Sequence, residues 1–262
     1  MAARPYRRVV LIGDMERYSA RSTVLQNEAQ AVFLDALDHA AVAAGLDREV
    51  WQRQSSGDGE LAVLPPEVDE PALLSAFLVG LDRFLRPYNA HRRDEARVRV
   101  RIAVHQGLIF PDSRNGFAGE AVNTAARLVD APVLKRVLKA FPEAAVACIV
   151  SEGIHRDVVT GGYDGIRPER FRRMRVTLAD KDFDEWAWLA VVDEDVTGIR
   201  VAETGAGPGP DTVPNPPGDE PPAGPDGDQG RDGGIKVGNV RNKGQLAIGN
   251  GASAVGKVRY GR

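Results

Sequence analysis

A chain of 262 residues that is 43% hydrophobic and 27% charged is long enough to bury one sizeable core, so one domain plus an extension is the default. A formal net charge of −3 speaks against nucleic acid binding by the whole protein. A single cysteine, Cys148, inside the apolar run Ala144 to Val150, excludes a disulfide framework and a cysteine-based zinc site, and reads as a small buried hydrophobe. The longest apolar stretch, around Leu73 to Leu81, is about half of the roughly 20 residues a bilayer span needs. The basic start, Met1 to Arg8, leads into only four apolar residues, too few for a secretory signal. No membrane span and a cytoplasmic location are expected.

Val9 to Ile12 is a short run of β-formers ending at Gly13-Asp14, which reads as a buried strand carrying Asp14 to its carboxyl end. From about Ser22 to Ala44, the residues Val32, Phe33, Leu37, Ala40, Ala41 and Ala44 recur at three- and four-residue spacings, the pattern of one amphipathic helix, and Gly45 stops it. Arg48 to Arg53 and Glu60 to Leu64 flank Ser55-Ser56-Gly57-Asp58-Gly59, a strong hairpin signal with Asp58 at the tip. A second helix uses Leu73, Leu74, Phe77, Leu78, Leu81, Phe84 and Leu85 and is expected to end near Pro87. Val98, Val100, Ile102 and Val104 alternate with Arg97, Arg99 and Arg101, a strand with its arginines on a solvated face or a dimer surface.

Gly119 to Val129 reads as a helix with Asn123 and Arg127 on one face. Ala144 to Val150 is a continuous apolar strand, a short helix follows near Ser151 to Asp157, and Phe171 to Thr177 and Glu185 to Val192 are the last strands. Trp186 and Trp188 read as packing and edge residues. Mixed strands and helices, with hairpins as well as helical crossovers, make the class α+β. Between Glu203 and Gly234 the sequence is dominated by Gly, Pro and Asp and has no Phe, Trp, Tyr, Leu or Ile, so residues 203–234 are expected to form a disordered acidic linker. Residues 235–262 carry six basic residues and no acidic ones. This tail reads as a disordered basic segment or as a strand that docks on a protein partner's sheet edge.

Singly, Asp14 reads as a helix N-cap and Asp58 as a turn residue, and Asn123 and Arg127 as solvated helix positions. Four segments in order nevertheless resemble the class III adenylyl and guanylyl cyclase family. They are Val10-Leu-Ile-Gly-Asp14-Met-Glu-Arg-Tyr-Ser19, Ser56-Gly57-Asp58-Gly59-Glu60-Leu61-Ala62, Arg101-Ile-Ala-Val-His105-Gln-Gly107 and Gly119-Glu-Ala-Val-Asn123-Thr-Ala-Ala-Arg127-Leu128. The resemblance spans most of residues 8–192. It implies a ferredoxin-like core and a homodimer with composite sites. Asp14 and Asp58 of one chain would hold two Mg²⁺ or Mn²⁺ ions, and Asn123 and Arg127 would come from the partner chain. The backbone of Met15, Glu16, Arg17 and Tyr18 would bind phosphate oxygens of a nucleoside triphosphate. By the same resemblance His105 is structural and not a metal ligand.

The expected activity is cyclisation of that triphosphate to a 3′,5′-cyclic mononucleotide and pyrophosphate. The base-reading positions depart from both purine patterns. Gln54 stands where the family has Lys or Glu, and Gly116, with Phe117 beside it, stands where Asp is common in adenylyl cyclases. Gln both donates and accepts, so it could read a pyrimidine edge or either purine, and a pyrimidine cyclase making cUMP or cCMP in antiphage defence is one alternative. A catalytically inactive nucleotide-binding or dimerisation module, recruiting a partner through the tail, is the other.

Overall fold

The computed structural model describes residues 4–113 and 116–199. The expected linker (203–234) and tail (235–262) lie outside them. Strand β1 (Tyr6–Met15) is longer than its apolar run because it is paired on both sides, with β3 (Gly59–Val63) and with β4 (Val100–Ser113), both antiparallel. Helix α1 (Thr23–Ala43) starts where the Ser22 hydroxyl accepts a hydrogen bond from the Leu25 amide at 3.4 Å, and it buries Ala29, Phe33, Leu37 and Ala40 against the sheet.

The expected hairpin forms from β2 (Gln52–Ser56) and β3, with Gly57 and Asp58 between them. Its first strand is shorter than the sequence suggested. Arg48–Val50 is a 3₁₀ turn, because the buried Arg48 guanidinium is held by Asp38 at 2.6 Å and by Glu60 at 2.8 Å and so fixes the chain in a bend. A short helical turn α2 (Glu70–Ala72) leads through a π-helical turn at Leu73–Phe77 into α3 (Leu78–Asn89). The helix ends at Asn89, near Pro87 as expected, with the proline in its last turn. The Asn89 side chain donates to the Val98 carbonyl and accepts from the Val98 amide, each at 2.8 Å, and this two-way bond fastens the last turn beyond the proline.

β5 (Gly116–Ala118) pairs back on β4, and α4 (Glu120–Val129) follows. Helix α5 (Pro132–Ala140) was not expected, although Pro132 at its start and the buried Val133, Leu134, Val137 and Leu138 are a helix signal. β6 (Val146–Ser151) is buried throughout, and α6 (Glu152–Asp157), β7 (Arg172–Leu178) and β8 (Phe183–Val191) complete the domain. The sheet order is β2-β3-β1-β4-β6-β8-β7, with β5 attached to β4. One core joins α1 and α3 to the sheet, and the other joins α4 and α5. The class is α+β, as the sequence indicated. Cys148 is buried in the first core.

β1, β3 and β4 position the carboxylates. Gly59 pairs with Asp14, and the Met15 amide donates to the Asp58 carbonyl at 2.8 Å, so the hairpin tip is latched to the end of β1. A Cβ on Gly59 would strike the Gly13 carbonyl oxygen and press on Asp14. Gly59→Ala is therefore expected to cost about 2 kcal/mol by overpacking and to lower the melting temperature by about 5 °C. A thermal scan checks it, and an unchanged midpoint would mean that the hairpin yields without cost.

Candidate active site

Asp14 sits at the inner end of β1 with its side chain only 17% exposed. Arg101, opposite it on β4, donates to both carboxylate oxygens, Nε to Oδ1 and Nη2 to Oδ2, each at 2.7 Å. Burial nevertheless pushes the Asp14 carboxyl up to about 7. Arg101 works against that rise, while the nearby Asp58 and Asp130 add to it. The Asp58 side chain is half-buried at the hairpin tip, where Ser56 Oγ donates to Oδ1 at 3.5 Å. The two carboxylates thus come from the end of β1 and from the tip of the neighbouring hairpin, at one end of the sheet. They are hard oxygen donors of the kind that Mg²⁺ and Mn²⁺ take.

The expected solvated face is overturned for Arg99 and Arg101. Arg101 is 8% exposed and serves as the counter-ion of Asp14. Arg99 bonds Glu16 at 2.8 Å and donates to the carbonyls of Ala144, Phe141 and Leu138, so it ties the segment after β1 to the end of α5. Period two correctly put these residues on the opposite face from the valines. That face is roofed by α5, which was not recognised from sequence.

The phosphate-binding backbone is corrected in part. The amides of Met15 and Glu16 already donate to the carbonyls of Asp58 and Arg99, each at 2.8 Å, because ladder-like bonding runs one residue past the strand on both sides. Among the described residues, the Arg17 and Tyr18 amides have no acceptor. Arg17 takes a left-handed conformation, φ 56°, and a 3₁₀ turn follows at Tyr18–Ala20.

Gln54 is exposed on β2, and Gly116 on β5 comes beside it. A Cβ on Gly116 would lie 2.5 Å from Gln54 Oε1. The structure therefore brings these two base-reading candidates together. Phe117 is half-buried against the core under α4 and α5, so its ring packs the fold. On α4, Asn123 is exposed and Arg127 is half-buried. Arg127 Nη1 bonds Glu120 at 3.0 Å, and its guanidinium lies 5.3 Å from the centre of the Phe183 ring. Among the described residues, no hydrogen bond or ion pair joins this pair to Asp14 or Asp58. Asp130, just past α4, is bonded by Lys135 at 3.2 Å and Lys181 at 3.5 Å.

Burial lowers the His105 imidazole to about 4, so it stays neutral at ordinary pH. His155 stacks on Trp188, ring centres 3.5 Å apart, and Trp188 Nε1 donates to Glu152. Trp186 lies under Arg173 of the edge strand β7, and both tryptophans are on β8, which is paired on both sides, so neither is an edge residue. No helix among the described residues is long and apolar enough to cross a membrane.

No protein-family model and no curated protein matches the sequence. Among solved structures, the chain is similar to the adenylate/guanylate cyclase/hydrolase from Silicibacter pomeroyi, at 23% identity and a TM-score of 0.52, over 73% of this chain and all of that one. It is also similar to the guanylyl cyclase Cya2, at 12% identity and a TM-score of 0.49, over 73% and 94%. The guanylate cyclase domain of RhGC from Catenaria anguillulae in complex with GTP matches at 16% identity and a TM-score of 0.43, over 72% and 98%. The first of these likenesses shows that this chain has the adenylate/guanylate cyclase fold.

Proposed function

We propose that residues 8–192 are a class III nucleotidyl cyclase domain. It converts a nucleoside triphosphate to a 3′,5′-cyclic mononucleotide and pyrophosphate, for signalling in the cytoplasm. The observation that carries this reading is the latch between the Met15 amide and the Asp58 carbonyl, which sets two carboxylates side by side at one sheet end. Asp14 and Asp58 fit two Mg²⁺ or Mn²⁺ ions by donor type. Such ions, when bound, supply the Lewis acidity that lowers the pKa of the ribose 3′ hydroxyl and neutralises the triphosphate.

The protein's own groups do the rest. The Arg17 and Tyr18 amides donate to phosphate oxygens. Asn123 and Arg127 act from a second copy of the chain. Arg127 spreads a permanent positive charge over a planar fork suited to the charge that builds on the α-phosphoryl oxygens, and Asn123 donates to the ribose. The outward presentation of Asn123 suits such a site, shared between two copies.

Gln54, beside Gly116, can donate and accept and so can read a pyrimidine edge or either purine; cUMP or cCMP synthesis in antiphage defence is one form of the reading. A second reading, a non-catalytic dimerisation module, is favoured by the Arg101 fork that occupies both oxygens of Asp14. Incubation of the purified chain with ATP, GTP, CTP and UTP and Mn²⁺, followed by mass spectrometry, separates the two. A cyclic product from at least one of the four is expected, and its base identifies the substrate. No product from any of the four, with an active cyclase run alongside, rejects catalysis.

A further inference from the structure

At the end of the sheet away from Asp14, where β1 begins and β6 runs out, lies a cavity of about 560 Å³, a size that holds small ligands. None of Asp14, Asp58, Gln54, Asn123 and Arg127 lines it. Read across the sheet in the order β1-β4-β6-β8, its wall carries Arg7, His105, Ser151 and Glu185, and α4 and α6 supply much of the rest.

Most of the charges in this wall are already matched. Glu120 is paired with Arg127 at 3.0 Å, Glu152 with Arg173 at 3.2 Å, and Arg156 with Asp157 at 2.7 Å. Arg7 and Glu185 are exposed and have no ion pair among the described residues. They are of opposite sign, and three strand steps separate β1 from β8, about 14 Å at ordinary strand spacing. Between them the wall is neutral and polar. His105 and Ser151 each follow the last paired residues of their parallel strands, Val104 and Val150, and so stand side by side. Ser151 is 9% exposed, and neither its Oγ nor the buried Nδ1 of His105 has a hydrogen-bond partner. A buried polar atom without a partner is costly, and rotation about one bond can turn the serine hydroxyl toward an occupant. The neutral imidazole has one nitrogen to donate and one to accept. Trp186, 43% exposed, adds an apolar wall.

We propose that this cavity binds an extended zwitterion of dipeptide size, with its carboxylate on Arg7, its ammonium on Glu185, its peptide group on Ser151 and His105, and a side chain against Trp186. The guanidinium fork matches a carboxylate. A dipeptide spans about 7 Å, and the long side chains of Arg7 and Glu185 cover the remainder. A ligand with a single charge would leave one of these two groups unmatched.

Titration of the full chain with L-alanyl-L-alanine, followed by saturation-transfer NMR on the peptide methyl groups, tests this without nucleotide or metal. A Kd on the order of 1 mM is expected. N-acetylation removes the ammonium and C-amidation the carboxylate, and each should weaken binding about tenfold, the loss of one charge-assisted bond. Arg7→Ala and Glu185→Gln change exposed positions outside both cores and should each weaken binding of the free peptide by a similar factor. Their responses should also be selective. Glu185→Gln should bind the free and N-acetyl peptides alike, and Arg7→Ala the free and amidated ones alike. No binding by the unaltered chain overturns the site, and so does binding that either variant leaves unchanged. Because no turnover is read, the result is independent of the cyclase reading.

Discussion

Asp58→Ala is expected to make no detectable cyclic nucleotide, a loss of at least about a thousandfold, or about 4 kcal/mol of transition-state stabilisation. The variant removes a carboxylate whose only side-chain hydrogen bond among the described residues is the long one from Ser56. The backbone carbonyl that latches the hairpin to Met15 stays in place. Its melting temperature should therefore stay within about 2 °C of the parent, since a surface change without buried partners is worth roughly 0.5 kcal/mol or less. This separates lost chemistry from lost folding. Retained turnover in a folded Asp58→Ala protein would sink the metal assignment.

The same variant also tests the shared site. Arg127→Ala removes the guanidinium that Glu120 and Phe183 hold in place, and alone it should also be inactive. In a mixed dimer of the two variants, one composite site carries both lesions and the other carries none. Random exchange of equal amounts should then recover about a quarter of the parent activity. No recovery in a preparation shown to contain mixed dimers would remove the two-chain site.

Much of this arrangement was legible in the sequence because it depends on local signals. Glycine beside an acidic residue marks a strand end or a hairpin tip, and both sites fell where Asp14 and Asp58 stand. The helix carrying Asn123 and Arg127 announced itself by period. Arg101 was misread because period two assigns a face and says nothing of what covers it. The roof is α5, some 30 residues further along the chain, and the fork to Asp14 exists only because β1 and β4 pair in one register. The engaged amides of Met15 and Glu16 were hidden for the same reason, since their acceptors lie on the hairpin tip and on the approach to β4. Pro87 marked the helix end to within two residues. The two residues beyond it are held by a buried asparagine that binds the chain on the far side, a contact with no local signal.

Metal affinity should depend steeply on acidity. With Asp14 pushed up to about 7 by burial, an ion must displace a proton below that pH. Mn²⁺ affinity is then expected to rise about tenfold per pH unit up to about 7 and to level off above it. The same group acts on stability with a definite sign. Its folded value lies above its ordinary one, so the folded chain holds the extra proton between about 4 and 7. Metal-free stability from this group is full below that window. It falls as pH rises through it, with a slope of at most about 1.4 kcal/mol per pH unit.

His105 opposes this effect. Its value is lowered to about 4, so the unfolded chain takes the proton between there and about 6.5, and stability rises with pH over that span. The two slopes largely cancel in a simple denaturation series, so the metal titration is the better measurement. Asp14→Asn supplies the control. It should bind Mn²⁺ weakly at every pH with no slope, and its stability should climb through the acid range where that of the parent is nearly flat. A tenfold slope that survives in Asp14→Asn would assign the proton to another group and take Asp14 out of the metal site.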